Sequence, residues 1–245
     1  MENPFYIQRE LRYGYPVCDE VLFGRYFTIG YSWYFRQAKW AIEIINPNFH
    51  MLTESERLNN FRADVRIPTR FRAGLNAYKD SGYDRGHLVA SANQNVLEIQ
   101  NSETFLLSNM SPQAASFNRG IWQRLEKAIR ELDSQENILE TYVLTAPLFY
   151  FDIPVQTIGS PNDELGIDIP IPHAFLKSVL AEDIKGNLLL WTFEMKNEDL
   201  PGKIEEYLVC TYDAEQIMGG RLWDRISGND IHEQKKKPRD IWQYS

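Results

Sequence analysis

The chain of 245 residues contains little cysteine and histidine and no long apolar run. Its two cysteines, Cys18 and Cys210, do not belong to a CxxC pair, which excludes a zinc ribbon and a thioredoxin-like site. They could form a disulfide in an oxidising compartment or remain as buried thiols. No stretch of about 18 apolar residues occurs, so the sequence predicts no membrane-spanning helix and no membrane partner.

The N-terminal segment 1–17 carries acidic and polar residues and has no apolar core of a secretory signal. We therefore expect a cytoplasmic location unless a leader has been removed. Internal repeats and low-complexity linkers are also absent, and hydrophobic residues make up 43% of the chain, which is typical of a folded protein. We expect one domain over residues 1–245, with its core at about 15–228 and a basic, poorly ordered tail at 233–245.

Charge is distributed unevenly along the chain, whose net charge at pH 7 is −8. Residues 55–130 contain 11 Lys and Arg against 7 Asp and Glu, whereas residues 131–206 contain 4 basic and 15 acidic residues. Because local charge sets the field that a ligand meets at short range, the overall acidity does not exclude a nucleic-acid partner. The alternative is that the surface charge is merely uneven.

Hydrophobic patterning predicts an α+β fold with a mostly antiparallel central sheet flanked by helices. The segment 22–45 mixes aromatic and β-branched residues with polar ones, which indicates two strands joined by a turn. Further strands are expected at 87–90, 104–109, 140–151, 174–183 and 187–197.

The strongest helical pattern runs from Asn118 to about Gln135, and residues 203–227 are also predicted to be helical. At about 100° per residue, the first of these helices places its apolar side chains on one face, with Trp122 at the edge. These side chains are Ile121, Leu125, Ala128, Ile129 and Leu132.

His87 lies in the stretch YDRGHLVAS, residues 83–91. A neutral imidazole with an ordinary pKa of about 6.5 can accept a proton from water at neutral pH. A lone histidine is more often structural than catalytic. Arg85, two residues earlier, would lie on the same side of an extended backbone and adds positive charge beside the imidazole. Both a structural and a catalytic role for His87 are open at this point.

Asn118 and Glu126 lie on the strongest predicted helix. The amide oxygen of Asn118 is a neutral ligand that suits Mg²⁺, although asparagine also favours the N-cap position of a helix. Glu126 follows eight residues later, about 12 Å along the axis, so it would reach a shared metal ion only through water. The alternative for Glu126 is an ion pair with Arg130 one helical turn further on.

Three blocks in fixed order change the weight of these alternatives: SGYDRGH, TFLLSNMSPQ and FNRGIWQRLE. Together they resemble the DNA/RNA non-specific endonucleases, the endonuclease G-like ββα-metal nucleases. The 31 residues from His87 to Asn118 and the eight from Asn118 to Glu126 match the family spacing. RLNNFRADVRIP, TAPLF and IPHAFLKSVL are similar to further family segments, with Ala146 where glycine is common. The resemblance covers about residues 15–225.

The resemblance implies a ββα-metal nuclease core and a Mg²⁺-dependent, sugar-non-specific nuclease that leaves 5′-phosphate ends on DNA and RNA. It implies that His87 is the general base and that Asn118 is the direct ligand of Mg²⁺, for which Mn²⁺ is expected to substitute. Glu126 would contact the metal ion through water. Arg57 would neutralise the scissile phosphate, with Arg62 as the second candidate for that role.

Several further roles follow from the resemblance. Arg85 belongs to the catalytic group, and Arg130 and Asn109 are expected to contact substrate phosphate, Asn109 alternatively bracing the His87 region. Asp84 is expected to fix its turn by hydrogen bonding. The family also suggests a homodimer and an inhibitor or other regulatory partner, because an unrestrained non-specific nuclease would endanger its own cell.

Two other functions remain as alternatives. One is a non-catalytic binding or scaffold protein with the same fold. The other is a metal-dependent phosphodiesterase that acts on a small nucleotide, which a basic segment alone does not exclude.

Overall fold

A central antiparallel sheet forms the middle layer of the computed structural model, which describes residues 8–45, 56–159 and 166–244. The strands in these ranges are β1 (Glu20–Phe23), β2 (Phe27–Ser32), β3 (Gln37–Ile44), β4 (Tyr83–His87), β5 (Met110–Ala114), β6 (Ile138–Leu148), β7 (Thr157–Ile158), β8 (Ile169–Pro170), β9 (Ala174–Asp183) and β10 (Leu188–Lys196). The central sheet has the order β1-β2-β3-β6-β9-β10, while β4 pairs with β5 and β7 with β8. The expected α+β class with a mostly antiparallel sheet is confirmed.

Short helices surround the sheet. They are α1 (Leu75–Tyr78), α2 (Glu98–Thr104), α3 (Ala115–Phe117), α4 (Gln123–Asp133), α5 (Thr211–Met218) and α6 (Asn229–Lys236). Single 3₁₀ turns occur at Arg9–Leu11, Thr69–Phe71, Ser91–Asn93, Leu107–Asn109 and Ile204–Tyr207, and a π-helical turn at Asn118–Trp122 leads into α4. Within the described ranges, none of the helices is long and apolar enough to cross a membrane.

Both faces of the central sheet are buried. Because side chains alternate along a strand, Phe175, Val179 and Ala181 of β9 face the cluster that contains α4, whereas Leu176 and Leu180 face the cluster that contains α5 and α6. The predicted apolar face of α4 and of the turn before it is buried as expected. The sheet therefore lies between two helical layers, and α4 packs on one of its faces.

The β4–β5 ribbon and the following helix form the unit that carries the candidate site. Register pairs His87 with Met110 and Arg85 with Pro112. A Cβ atom at Gly86 would lie 2.0 Å from the Gln113 side chain, so the glycine leaves the space that this buried side chain occupies. The chain then turns through α3 and the π-helical turn into α4, which gives the succession strand, strand, helix.

The two short strands of this unit differ from the prediction. The strand expected at 87–90 is displaced, because β4 ends at His87. The segment 104–109 is the end of α2 followed by a 3₁₀ turn, and the paired strand begins only at Met110. The paired strand β5 contains Pro112. A two-stranded ribbon accepts proline because an edge position does not need every N–H group.

The C-terminal third also differs from the prediction. The helix expected at 203–227 is interrupted, because α5 ends at Gly219 in the left-handed conformation at φ 69°. The tail that was expected to be poorly ordered, residues 233–245, begins inside α6. Its Trp242 is buried and donates from Nε1 to the carbonyl oxygen of Ala128 in α4 at 2.7 Å. This aromatic side chain attaches the tail to the back of α4.

Cys18 and Cys210 are both free and partly buried. Of the disulfide and the free thiols that the sequence left open, the structure has free thiols.

Candidate active site

The C-terminal end of β4 places His87 against two aromatic rings. Its imidazole centroid lies 5.0 Å from that of Phe105 and 5.8 Å from that of Phe61. Its Nε2 atom is buried and has no hydrogen-bond partner among the described residues. Burial, and then the positive charge of Arg57, lower the pKa of His87 to about 3. The imidazole is therefore neutral at neutral pH.

This shift predicts a specific dependence of stability on pH. The folded chain keeps His87 neutral down to about pH 3, whereas the unfolded imidazole takes up a proton below about pH 6.5. The contribution of His87 to stability is thus complete above pH 6.5 and is lost as the pH falls toward 3. Between pH 7.5 and 4.5, we expect the free energy of unfolding in urea to fall by about 3 kcal/mol more for the wild type than for His87→Gln.

The control for this measurement is His232→Gln, which removes an exposed imidazole in α6. It should follow the wild-type dependence on pH. Equal losses for the wild type and His87→Gln would show that burial of His87 has no effect on its protonation.

Asn118 begins the π-helical turn opposite β4, where Asp84 fixes its orientation. The Asn118 Nδ2 atom donates to Asp84 Oδ2 at 2.9 Å, which leaves its amide oxygen for another ligand. Arg119 donates to both oxygens of Asp84, at 2.9 and 2.7 Å. Burial acts to raise the pKa of Asp84, but the hydrogen bonds from Arg119 and Asn118 lower it overall. Asn118 has helical backbone angles of φ −57° and ψ −45° and is therefore not an N-cap.

Glu126 and Arg130 both line the pocket from α4, but the structure gives each a different partner. The Arg130 guanidinium donates to Asn93 Oδ1 at 3.0 Å. Glu126 Oε1 lies 4.0 Å from the ammonium of Lys177, a residue of β9. Burial raises the pKa of Glu126, and the positive charges of Lys177, Arg130 and Arg57 oppose that shift. The simple helical pair of Glu126 with Arg130 is therefore not the arrangement found.

These side chains enclose a pocket of about 390 Å³. Its charged lining comprises four guanidinium groups and two carboxylates, so the lining has a net positive charge in a chain whose overall charge is negative. The Arg85 guanidinium lies 4.2 Å from the Phe61 ring centroid, and that of Arg57 lies 5.2 Å from the Phe105 centroid. The lining residues are Arg57, Phe61, Asp84, Arg85, His87, Ala90, Ser91, Ala92, Asn118, Arg119, Gln123, Glu126 and Arg130.

Two residues predicted to contact phosphate lie elsewhere. Arg62 donates to the carbonyl oxygens of Asn60 and Ser102 and is not part of the pocket lining. Asn109 is completely buried, and its amide group bonds to the backbone of Val89. The structure therefore does not bring these two side chains to the pocket: Arg62 bonds to loop carbonyls, and Asn109 braces the segment that follows His87, the other role expected for it.

Three contributors to this region were missed in the sequence. Arg119 lines the pocket, and its side chain is 72% exposed. The feature of the sequence that could have indicated it is its position next to Asn118. Lys177 and Glu43 are buried behind the pocket on strands that read as ordinary sheet. Their contact with the site depends on the tertiary packing of α4 on the sheet, which local sequence does not show.

The available donors fit a hydrated cation. The Asn118 amide oxygen is a hard ligand, and the Asp84 bond to Nδ2 keeps the oxygen end of the amide free for it. No cluster of three or more His, Cys, Asp or Glu side chains suited to a metal ion occurs in the described part of the chain. A metal ion at Asn118 would thus keep most of its water, as Mg²⁺ commonly does.

A strand–strand–helix unit that gathers an imidazole, an oriented amide and several arginines in one pocket is the arrangement of the ββα-metal nucleases. The chain belongs to the DNA/RNA non-specific endonuclease family, whose members match it over residues 9–226.

Mitochondrial endonuclease G of Caenorhabditis elegans is 31% identical over 247 residues, which cover 95% of this chain and 78% of that protein. The mitochondrial nuclease of Saccharomyces cerevisiae is 33% identical, in an alignment that covers 88% of this chain and 69% of that nuclease. The crystal structure of an EndoG/EndoGI complex matches with a TM-score of 0.81 at 27% identity, over 89% of this chain and 91% of that one. The chain is therefore a nuclease, a hydrolase of phosphodiester bonds in nucleic acid, and its family is metal-dependent.

Proposed function

We propose that the chain is a Mg²⁺-dependent nuclease that hydrolyses both DNA and RNA, endonucleolytically and with little sequence preference, and leaves 5′-phosphate ends. The observation that carries this proposal is the meeting of a neutral imidazole, an oriented amide oxygen and four arginines in one pocket. Arginine contacts to phosphate carry no sequence information, which agrees with a non-specific enzyme.

His87 is the general base in this proposal. Because its Nε2 atom is buried, we assign the proton-accepting role to Nδ1. As a water molecule attacks phosphorus, Nδ1 takes its proton, and the bond from phosphorus to the 3′ oxygen breaks. The nucleophile is water and not a 2′-hydroxyl group, so the same chemistry serves DNA and RNA.

Arg57 stabilises the negative charge that develops on the phosphate. Its charge acts on both His87 and Glu126, so it lies within electrostatic range of each. Arg85 of β4 and Arg119 of the π-helical turn provide further positive charge in the pocket lining. Preorganised positive groups of this kind lower the barrier most when they face the charge of the transition state.

Asn118 would hold Mg²⁺ directly and Glu126 would hold it through water, and Mn²⁺ is expected to substitute. When bound, the cation supplies charge stabilisation to the phosphate and the leaving oxygen. Asp84 keeps the Asn118 amide in the orientation that this role needs.

The product ends test this proposal directly. DNA and RNA oligonucleotides of the same sequence should both be cut at many positions, and mass spectrometry should find 5′-phosphate and 3′-hydroxyl ends. Products with 3′-phosphate or 2′,3′-cyclic ends would contradict the direction of bond cleavage. Cleavage of only small nucleotides would favour the alternative phosphodiesterase.

A matched pair of arginine variants tests the assignment of Arg57. Arg57→Ala should lower kcat by about 100- to 1,000-fold, because it removes a preorganised charge from the scissile phosphate. Arg62→Ala should keep kcat near the wild-type value, since its guanidinium already bonds to two backbone carbonyls outside the pocket. Initial rates of plasmid nicking measure both variants. A larger loss for Arg62→Ala would reverse the assignment.

We also propose that an inhibitor protein restrains the enzyme. The enzyme itself is proposed to form a homodimer. A relative of known structure is an EndoG bound to EndoGI, in work on the mechanism of EndoG inhibition. The positive pocket would attract an acidic inhibitor surface. The purified chain should be fully active when no inhibitor protein is present, and light scattering should give the mass of a dimer. An inactive purified chain, or the mass of a single chain, would contradict the respective proposal.

A further inference from the structure

A lysine is buried in the sheet directly behind the pocket. The side chain of Lys177 in β9 is 0% exposed, and its Nζ atom donates to Thr145 Oγ1 of β6 at 2.9 Å. Register pairs these two residues across neighbouring strands. An ammonium group removed from water carries a large desolvation cost, so its position requires compensation by negative partners.

Strand alternation points Lys177 toward α4. Phe175 and Val179, two residues away on either side, belong to the apolar cluster that packs with α4. The Lys177 Nζ atom lies 4.0 Å from Glu126 Oε1 and 4.5 Å from the centroid of the Trp122 ring. The ammonium therefore lies within ion-pair distance of the carboxyl group of a pocket residue, on the side of the protein interior.

A second buried carboxylate completes the arrangement. Glu43 of β3 is 1% exposed, and its charge also acts on Lys177. Glu43 accepts hydrogen bonds from Asn93 Nδ2 at 3.0 Å and from Gln94 Nε2 at 3.1 Å. Asn93 in turn accepts from Arg130. Two acidic and two basic side chains thus form a connected group behind the pocket wall.

We propose that Lys177 is a positioning residue for the nuclease reaction and that its buried ammonium holds the Glu126 carboxylate in place at the metal site. Lys177 does not line the pocket and so acts only through Glu126. This inference rests on the proposed function, in which Glu126 contacts Mg²⁺ through water. Replacing a residue that holds a metal-site group in place commonly lowers metal affinity or activity by about 10- to 100-fold.

Lys177→Met tests the inference, because methionine keeps an unbranched chain and removes the charge. We expect kcat on plasmid DNA to fall about 10- to 100-fold with KM within about twofold. Mn²⁺ binding, measured by electron paramagnetic resonance without substrate, should weaken about tenfold. If the single variant does not fold, the double variant Lys177→Met/Glu43→Gln, which removes one basic and one acidic group, takes its place in both measurements. The same losses are expected.

A double-variant cycle separates action through Glu126 from other effects. Glu126→Gln should lower kcat, and adding Lys177→Met to it should cause little further loss, because Lys177 then has no carboxylate to hold. Independent, multiplicative losses would overturn the inference.

Lys235→Met is the matched control. Lys235 is also buried and pairs with Glu215 at 2.7 Å, but it lies in α6 and is not part of the pocket. Its loss should lower the melting temperature and leave kcat and Mn²⁺ affinity unchanged. A folded Lys177→Met variant that behaves in the same way would overturn this inference and leave the proposed function unaffected. Wild-type activity of Glu126→Gln would instead contradict the proposed role of Glu126 itself.

Discussion

The His87→Ala variant is expected to fold and to cleave plasmid DNA about 10²- to 10⁴-fold more slowly than the wild type, the range for loss of a general base. The substitution removes the imidazole, whereas the four arginines that line the pocket remain. The loss should therefore appear in kcat, with KM little changed. Initial rates of plasmid nicking under saturating Mg²⁺ measure it, with circular dichroism as the test of folding.

His173→Ala provides the control for the loss of an imidazole. His173 accepts a hydrogen bond from the backbone N–H of Tyr150 through Nδ1, and it lies outside the pocket lining. This variant should retain the wild-type rate. A folded His87→Ala with wild-type activity would exclude His87 as the base.

The second large effect is expected for Asn118→Ala. The substitution removes the only residue proposed to contact the metal ion directly, and it also removes the hydrogen bond to Asp84. We expect Mn²⁺ affinity to fall by at least about 100-fold, beyond the usual effect of changing an outer partner. Activity should require a correspondingly higher Mg²⁺ concentration. Calorimetric titration with Mn²⁺ and the Mg²⁺ dependence of the rate measure the two effects.

Gln123→Ala is the matched amide control for Asn118. Gln123 is exposed in the first turn of α4 and lines the same pocket, but it has no role in the proposed mechanism. Its loss should leave the metal titration unchanged. An unchanged titration for Asn118→Ala would remove Asn118 as the metal ligand.

Much of this site could be predicted because its residues lie in three short blocks with fixed spacing. The blocks predict His87, Asn118 and Glu126, and the structure brings all three to one pocket. Arg57 reaches the same pocket from a separate segment, RLNNFRADVRIP, which the resemblance to the family indicated. Their chemical roles remain predictions that the variants above test.

The buried support of the site could not be predicted from local sequence. Lys177 and Glu43 come from strands whose apolar neighbours gave a clear strand pattern. A strand prediction does not say which face packs against a helix, so a charge in such a strand reads as solvated. In the fold, the packing of α4 on the sheet buries these charged side chains. That packing depends on the assembled sheet and not on local sequence.

The long strands were predicted well and the short elements poorly, for a physical reason. β9 matches its predicted range because a buried strand of ten residues has a strong apolar signal. β4 and β5 have five residues each and include Gly86 and Pro112, which ordinarily indicate turns. Their pairing with each other overrides that local preference.

The dependence of cleavage on a divalent cation tests the central claim most directly. The purified chain should nick plasmid DNA and degrade RNA in the presence of Mg²⁺, and both activities should stop when EDTA is added and return with excess Mg²⁺. Cleavage that persists in EDTA, or a folded chain that cuts neither polymer with Mg²⁺ or Mn²⁺, would contradict the proposal of a metal-dependent DNA and RNA nuclease.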